Sequence, residues 1–460
     1  MPQEQVVITG GRGFLGSAIV DAFLEAHPEH HYTILDIQQP SLEQAARIEE
    51  KDVGHVQVDI RELGAVKDAV HRIAPTVIVH SAGVVPVGSK RYSKSEAIKK
   101  EVFDINVDGT RNVLAAAREV GTVKAFVYTS SSTVVGDDLD TDYCNVDESI
   151  QIGKAQLFYG QSKAAAERLV LSPATPHDFL ACVLRPSVIF GPGDPNLLPP
   201  IAALMPPSRR PDDRRPSLST SFPPLTAVAL GPCINLYDFT YVTNAADAHV
   251  LAVRNLLECA NDSGMSSPSP LSAAGRALFI TNDAPLPFRD FCRAAWAELG
   301  HVPPVEIRVP AVAARIMGFC ADAVSALTGV EFALSAGAVK EALGTKYASG
   351  QAAREVLGYT PRVNMREGIR RAVDVQPRFR HPLSRLTPPR TTSSGQHPSK
   401  KKESDEKKRE SVFAVVEGQN SSAQALPGTY ICPPGAVKAD SIAPDGSPTR
   451  GSNSSLPPAI

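Results

Sequence analysis

The sequence runs to 460 residues, 43% hydrophobic and 21% charged, with a formal net charge of -2. That composition supplies a large apolar core and excludes a fibrous chain, while the near-balanced charge offers no global field to gather nucleic-acid phosphates. Seven scattered cysteines, none in a Cys-x-x-Cys pair, indicate neither a disulfide framework nor a zinc site, so no metal is expected and a reducing compartment fits.

The chain reaches the β-branched run Val6-Val7-Ile8 without the basic and apolar succession of a secretory signal. Thr9-Gly10-Gly11-Arg12-Gly13-Phe14-Leu15-Gly16 follows and opens a stretch of helical period through Leu15, Ala18, Ile19, Ala22 and Phe23. Gly10 allows a tight turn, Gly13 lets backbone amides approach a pyrophosphate, and Gly16 permits close packing on the strand. Phe14 and Leu15 belong to the same candidate cofactor contact. Any strand-to-helix turn can use glycines, but here a second run, 32–35, ends in Asp36, where a carboxylate can hold an adenosine ribose diol. A carboxylate there favours NAD; Arg12, beside Gly13, keeps NADP as the alternative.

Further β-branched runs at 56–58, 77–79, 125–128 and 180–184 alternate with helical stretches. This rhythm predicts an α/β fold, a Rossmann-type doubly wound parallel sheet within a dinucleotide-binding domain at residues 1–190. The fifth run ends Tyr128-Thr129-Ser130-Ser131 and leads to Gly136, which puts hydroxyls at the carboxyl end of a central strand, beside the cofactor crevice. Spacing does not choose among them. Tyr159-Gly160-Gln161-Ser162-Lys163 sits in a helical stretch, and its four-residue spacing stacks phenol and ammonium on one face. A phenol of pKa near ~10 becomes a usable base where a neighbouring cation favours the phenolate.

Beyond residue 191 prolines crowd the chain, and 206–224 and 261–275 read as loop insertions. Between and after them a smaller α/β substrate-binding region, 191–375, is expected, with strands at 237–242 and 277–281 and helices at 245–258, 287–299 and 310–343. The stretch 310–330 is apolar but holds Arg315 and Asp322, short of the ~20 apolar residues of a membrane-spanning helix. It reads either as packing for the substrate region or as an apolar mouth lying on a membrane surface. From 376 to 460 the composition turns to Pro, Ser, Thr, Lys and Gly, and a disordered tail is expected, with the mixed charges at 400–410 a solvated linker.

Together the glycine loop, Asp36, Tyr128-Thr129-Ser130-Ser131, Tyr159-x-x-x-Lys163 and Arg185-Pro186-Ser187-Val188-Ile189-Phe190-Gly191 resemble the extended short-chain dehydrogenase/reductase family over about residues 4–375. More narrowly the chain is similar to its 3β-hydroxysteroid dehydrogenase group, some of whose members decarboxylate 4α-carboxysterols. The resemblance implies a catalytic set of Ser131, Tyr159 and Lys163, braced by Asn106. It implies further cofactor contacts at Asp59 and Ile60, at Ser81, Ala82 and Gly83 after the fourth strand, and at Pro186, Ser187 and Val188. Leu357-Gly358-Tyr359-Thr360-Pro361 matches a packing signature of extended members.

The implied reaction is NAD(P)-dependent oxidation of a secondary alcohol, the 3β-hydroxyl of a steroid or sterol, with loss of carbon dioxide where a 4α-carboxylate makes the product a β-keto acid. Nucleotide-sugar epimerases and dehydratases share the fold but place an arginine before an Asp-Phe pair, where this chain has Tyr237 before Asp238-Phe239. Carbonyl reduction, and a nucleotide-sensing scaffold without activity, are the other readings. The expected partner is a small hydrophobic sterol, with no nucleic acid. Peripheral membrane contact at the cytosolic face of the endoplasmic reticulum, otherwise a cytoplasmic location, and a homodimer complete the expectations.

Overall fold

A computed structural model describes residues 3–172, 179–206, 224–261, 271–328, 334–374, 412–414 and 436–438. Most of both loop insertions, and the mixed charges at 400–410, lie outside the described residues.

Seven strands form the central sheet: β1 Gln5–Thr9, β2 His31–Asp36, β3 Val53–Gln57, β4 Val77–His80, β5 Ala125–Thr129, β6 Leu180–Pro186 and β7 Ala277–Ile280. Their order is β7-β6-β5-β4-β1-β2-β3, and every pairing is parallel. Order reverses between β1 and β4, which opens a ligand crevice at their carboxyl ends. All residues of β4 and β5 are buried, because helices cover both faces. Successive side chains therefore feed two cores. Val6, Ile8, Val77 and Val79 join Ile19 and Phe23 of the helix Phe14–Ala26. Val7, Ile78, Phe126 and Tyr128 join Val66, Val113 and Val170 on the other face.

The boundary expected at residue 190 is crossed. Strand β7 closes the edge of the cofactor sheet, and the helix Val242–Asn261 packs Ala248, Ala252 and Leu256 into the same core as the first helix. Outside the seven-stranded sheet the chain is made of smaller pieces. Leu236–Tyr237, Leu286–Pro287, Lys346–Ala348 and Tyr143–Val146 share one small sheet, and Val188–Phe190 pairs with Phe239–Tyr241. The core there is aromatic: Phe190, Phe239, Tyr241, Phe291 and Trp296, with Phe239 and Phe291 stacked at 4.1 Å.

Two expected elements are broken. The strand at 237–242 divides at Asp238, whose buried carboxylate accepts from Ala348 N at 2.6 Å. The helix expected at 310–343 is two, Ala311–Thr328 and Ala336–Leu343, the second started by Ser335, whose hydroxyl accepts from Ala338 N at 3.1 Å. Ala311–Thr328 turns its small residues inward, Gly318 lying against Ala336 and Val339, while Val312, Phe319 and Leu327 are 68%, 71% and 87% exposed. By length and composition this helix could cross a membrane, although the sequence places Arg315 and Asp322 within it.

Within the tail expected to be unstructured, two short pieces are packed. Val412 and Phe413 enter the aromatic core, with the Arg366 guanidinium 5.0 Å from the Phe413 ring, and Val437–Lys438 pairs with Tyr143 and Cys144. Val412 and Phe413 open a short apolar run in an otherwise polar stretch, which makes their burial favourable.

Candidate active site

At the end of β1 the backbone turns through Gly10, with φ +67°, and a Cβ there would stand 2.7 Å from Ala82 Cα. A Cβ at Gly16 would stand 2.0 Å from Gly10 O, so the helix start can lie on the strand only without a side chain. Gly13 caps the first helix and, as a glycine, makes no side-chain bond to its leading amides. That leaves Phe14, Leu15 and Gly16 at a positive helix end of the kind that receives phosphate. Asp36, buried at the end of β2, is fixed by Arg12 N at 3.1 Å and Gln38 N at 3.0 Å. The Arg12 guanidinium donates to Gln39 O and the Gln44 amide. A close-packed glycine turn, an open helix end and a fixed carboxylate fit an adenine dinucleotide.

The end of β4 is tied down by a buried relay. Thr110 donates to Asn106 O at 2.7 Å, so its oxygen accepts from His80 Nε2 at 3.0 Å, and His80 Nδ1 accepts from the Thr9 hydroxyl at 2.7 Å. The Thr9 oxygen in turn accepts from Ala82 N at 3.2 Å, and Ser81 donates to Thr9 O at 2.8 Å. Burial, then the Lys163 charge, pushes the His80 imidazole down to about 3, so it serves as a neutral spacer. Asn106 lies in a π-helical turn, Asp104–Asp108, a local widening that often marks a functional position. Its amide accepts from Val84 N at 2.8 Å and donates to Val84 O at 3.1 Å and the Ser162 hydroxyl at 3.0 Å, clamping the loop after β4 to the next helix. A side chain at Gly83 would come within 3.0 Å of Asn106 Oδ1 and 3.3 Å of Lys163 Nζ.

That next helix, Phe158–Val170, carries Tyr159 and Lys163. Gly160 lets it approach the turn after β5, since a Cβ there would meet Thr133 O at 2.6 Å. Behind it Glu167 accepts from Arg185 Nε at 3.2 Å and from the Ser130 hydroxyl at 2.8 Å. Lys163, buried, donates to Thr129 O at 2.8 Å; burial lowers its ammonium to about 7, with Glu167 opposing. Burial raises the Tyr159 phenol to about 12, against a hydrogen bond with Ser131 that lowers it. Ser131, Tyr159, Lys163 and Asn106 are thus brought together at the carboxyl ends of the strands.

Among the other sequence-derived candidates, Pro186 borders this group, its carbonyl accepting from Ser132 N at 2.9 Å, and the rest serve neighbouring contacts. Asp59 accepts from the Arg61 side chain at 2.6 Å, and buried Ile60 fills the space that Gly109 leaves open, both beyond the end of β3. Pro186 ends β6, and Val188 opens the strand that pairs with Phe239. Between them the Ser187 hydroxyl lies 2.6 Å from the Thr240 hydroxyl, which donates to Ile280 O at 3.0 Å, so it serves the scaffold. Tyr237 is buried and donates to Glu341 O at 2.9 Å.

Three charged residues beside the phenol escaped the sequence reading. Arg91 Nη2 donates to Asp137 Oδ1 at 3.0 Å and to Glu341 Oε1 at 2.6 Å, and Asp137 Oδ2 accepts from Gly160 N at 2.9 Å. Asp137 follows Gly136 directly, a signal of place only. Arg91 and Glu341 carry no periodic signal.

The fold and this site define a short-chain dehydrogenase/reductase of the extended type. The sequence profile of the 3-beta hydroxysteroid dehydrogenase/isomerase family matches residues 7–208 and 225–311, and the chain belongs to that family, whose members are oxidoreductases acting on a CH–OH group with NAD(P). It is 31% identical over 375 residues to a sterol-4-alpha-carboxylate 3-dehydrogenase, decarboxylating, of Saccharomyces cerevisiae, covering 80% of this chain and 97% of that one. A Candida albicans protein of the same description is 32% identical, covering 81% and 97%. Among solved structures a UDP-glucose-4-epimerase from Stenotrophomonas maltophila with bound NAD superposes with TM-score 0.59 at 21% identity, over 84% of this chain and 100% of that one, a likeness of fold.

Proposed function

We propose that the chain oxidises the 3β-hydroxyl of a 4α-carboxylated sterol with NAD and that the β-keto acid formed then loses carbon dioxide. The observation that carries this reading is the convergence of Ser131, Tyr159 and Lys163 beside the glycine turn, in a chain whose relatives are sterol-4-alpha-carboxylate dehydrogenases along nearly their full length. Bound NAD supplies the hydride acceptor and a positive ring that favours phenolate. Ser131 holds the reacting oxygen. Tyr159 takes the hydroxyl proton as hydride leaves the same carbon, and the Lys163 ammonium steadies the phenolate. Asp36 holds the ribose diol and disfavours a 2′-phosphate. In the ketone so formed, the carboxylate carbon–carbon bond breaks with its electron pair passing into an enolate, which is then protonated; no further catalytic group is required.

Buried Tyr237 at the position where sugar-nucleotide enzymes hold an arginine supports a sterol over a nucleotide sugar. The test follows the reduced nicotinamide band with NAD and NADP against a 4α-carboxysterol, a 3β-hydroxysteroid and a UDP-sugar. Turnover is expected with NAD and the carboxysterol; turnover of the UDP-sugar alone refutes the reading.

Water-insoluble substrates reside in bilayers, and the outward Val312, Ile316, Phe319 and Leu327 form an apolar strip on the substrate region. The reading therefore includes a peripheral seat of Ala311–Thr328 on the cytosolic surface of the endoplasmic reticulum. The protein is expected to float with phosphatidylcholine vesicles, and Phe319→Glu with Leu327→Glu to abolish flotation. Recovery of the unaltered protein in a high-speed supernatant as a dimer would instead assign the strip to self-association.

A further inference from the structure

Buried charge clusters are poor stabilisers, because the cost of desolvation offsets the attraction, and an apolar cluster of the same volume serves stability as well or better. In the cluster beside the active-site phenol Arg91 pairs with two carboxylates, Asp137 and Glu341, and the charge of Lys346 also reaches both. The two carboxylates differ. Asp137 is 1% exposed and fixed from behind by Gly160 N. Glu341 is 27% exposed and sits on the short helix Ala336–Leu343, where its oxygens take both Nε, at 3.1 Å, and Nη2, at 2.6 Å, of Arg91. Glu341 thus occupies the forked face of the guanidinium, the face suited to a carboxylate, and has Tyr92 as a second partner.

We infer that Arg91 is a carboxylate-binding subsite for the substrate and that Glu341 occupies it in the free protein as a placeholder. The inference rests on the proposed oxidation of a 3β-hydroxyl and adds the group that recognises the neighbouring acid. A carboxylate on the carbon adjacent to the reacting hydroxyl lies about one hydrogen-bond length, ~3 Å, from that oxygen. A receptor for it must therefore stand close to the phenol that holds the hydroxyl. Arg91 meets this requirement: it grips Asp137, which in turn holds the backbone of the residue after Tyr159, and its charge is felt at the phenol. Lys163 is committed to Thr129 O and the cofactor side, and Lys346 to the backbone oxygens of Asp138 and Thr141. Exchange of acceptors on Arg91, from Glu341 to the substrate acid, breaks the Arg91–Glu341 contact and leaves the helix Ala336–Leu343 held to this segment through Tyr92, so substrate entry and the opening of that one ion pair are one event.

The test compares kcat/KM with NAD for a 4α-carboxy-3β-hydroxysterol and for the same 3β-hydroxysterol without the acid. Arg91→Met is expected to lower the ratio of the first to the second by about tenfold or more, through KM, as loss of a charge-assisted contact implies. Glu341→Gln leaves Arg91 in place and weakens its competitor, so the ratio is expected to rise through a lower KM for the acid. An unchanged ratio in Glu341→Gln overturns the subsite, whether or not Arg91→Met folds, and so does a loss in Arg91→Met that is equal for both substrates. If the unaltered protein turns over neither sterol, the functional reading fails and the subsite with it; turnover of both with no preference for the acid removes the subsite alone.

Discussion

The cofactor sheet and the substrate region are built on opposite plans. In the sheet the most readable features are short runs of neighbours: Gly10 to Gly16 shape one turn, Asp36 ends one strand, and Tyr159 and Lys163 share one helix face. In the substrate region the joints span the chain. Arg91 meets Glu341 across 250 positions, Tyr143 pairs with Lys346 and Val437, and Asn244 binds Val363 across 119. A dinucleotide presents the same phosphates and diol wherever it binds, so local backbone geometry suffices for it. A pocket for one substrate is assembled from long-range contacts, each of which can change without disturbing the sheet.

If that division holds, damage to the local motifs should remove chemistry or cofactor separately. The largest effect is expected from Tyr159→Phe, which keeps the ring that packs in the crevice but removes the proton acceptor. Turnover should fall by about 10²–10⁴-fold, with affinity for the reduced cofactor retained in a reduced-nicotinamide fluorescence titration. Retained turnover would place the base elsewhere. Next comes Gly16→Ala, whose methyl would stand 2.0 Å from Gly10 O and must push the first helix off the strand. The Kd for NAD should rise by about tenfold or more, on the order of 1.4 kcal/mol, and an unchanged Kd would mean that the turn does not shape the phosphate site.

The same division explains what could be read from sequence. The glycine turn, Asp36 and the Tyr159–Lys163 pair were legible because spacing alone places them. Ser131 was not separable from Ser130 or Thr129 by pattern; the structure separates them, giving Ser130 to Glu167, Thr129 to His249 and Ser131 to the phenol. The relay through Thr9, His80 and Thr110 joins residues 71 and 30 apart, and no periodicity reports such a join. Strands of two or three residues, as at Leu236–Tyr237 and Phe239–Tyr241, are too short to show an alternation, so the interruption at Asp238 read as continuous strand. The apolar stretch from 311 was visible, but which face it buried depended on Gly318 meeting Ala336, a contact outside its own sequence.

Asp238 gives the mildest and most selective probe of the long-range plan. Burial, with Asp283 adding, raises its carboxyl to about 8, so near neutrality it is largely a neutral acid that accepts from Ala348 N. In the unfolded chain the same group loses its proton near ~3.9. Between these values the folded state binds more protons than the unfolded one, so this group's contribution to stability is present in full below about pH 4 and is lost as pH rises toward 8. Asn at this position keeps an acceptor for Ala348 N and has no proton to lose. Asp238→Asn should therefore gain in Tm relative to the unaltered protein, and the gain should widen from pH 5 to pH 8 by on the order of a few degrees. An offset that stays constant across that range would mean that the carboxyl ionises normally and holds Ala348 N as a carboxylate. An offset that widens as expected would show that Asp238 is a neutral acid in the folded chain where Leu236–Tyr237 meets Lys346–Ala348.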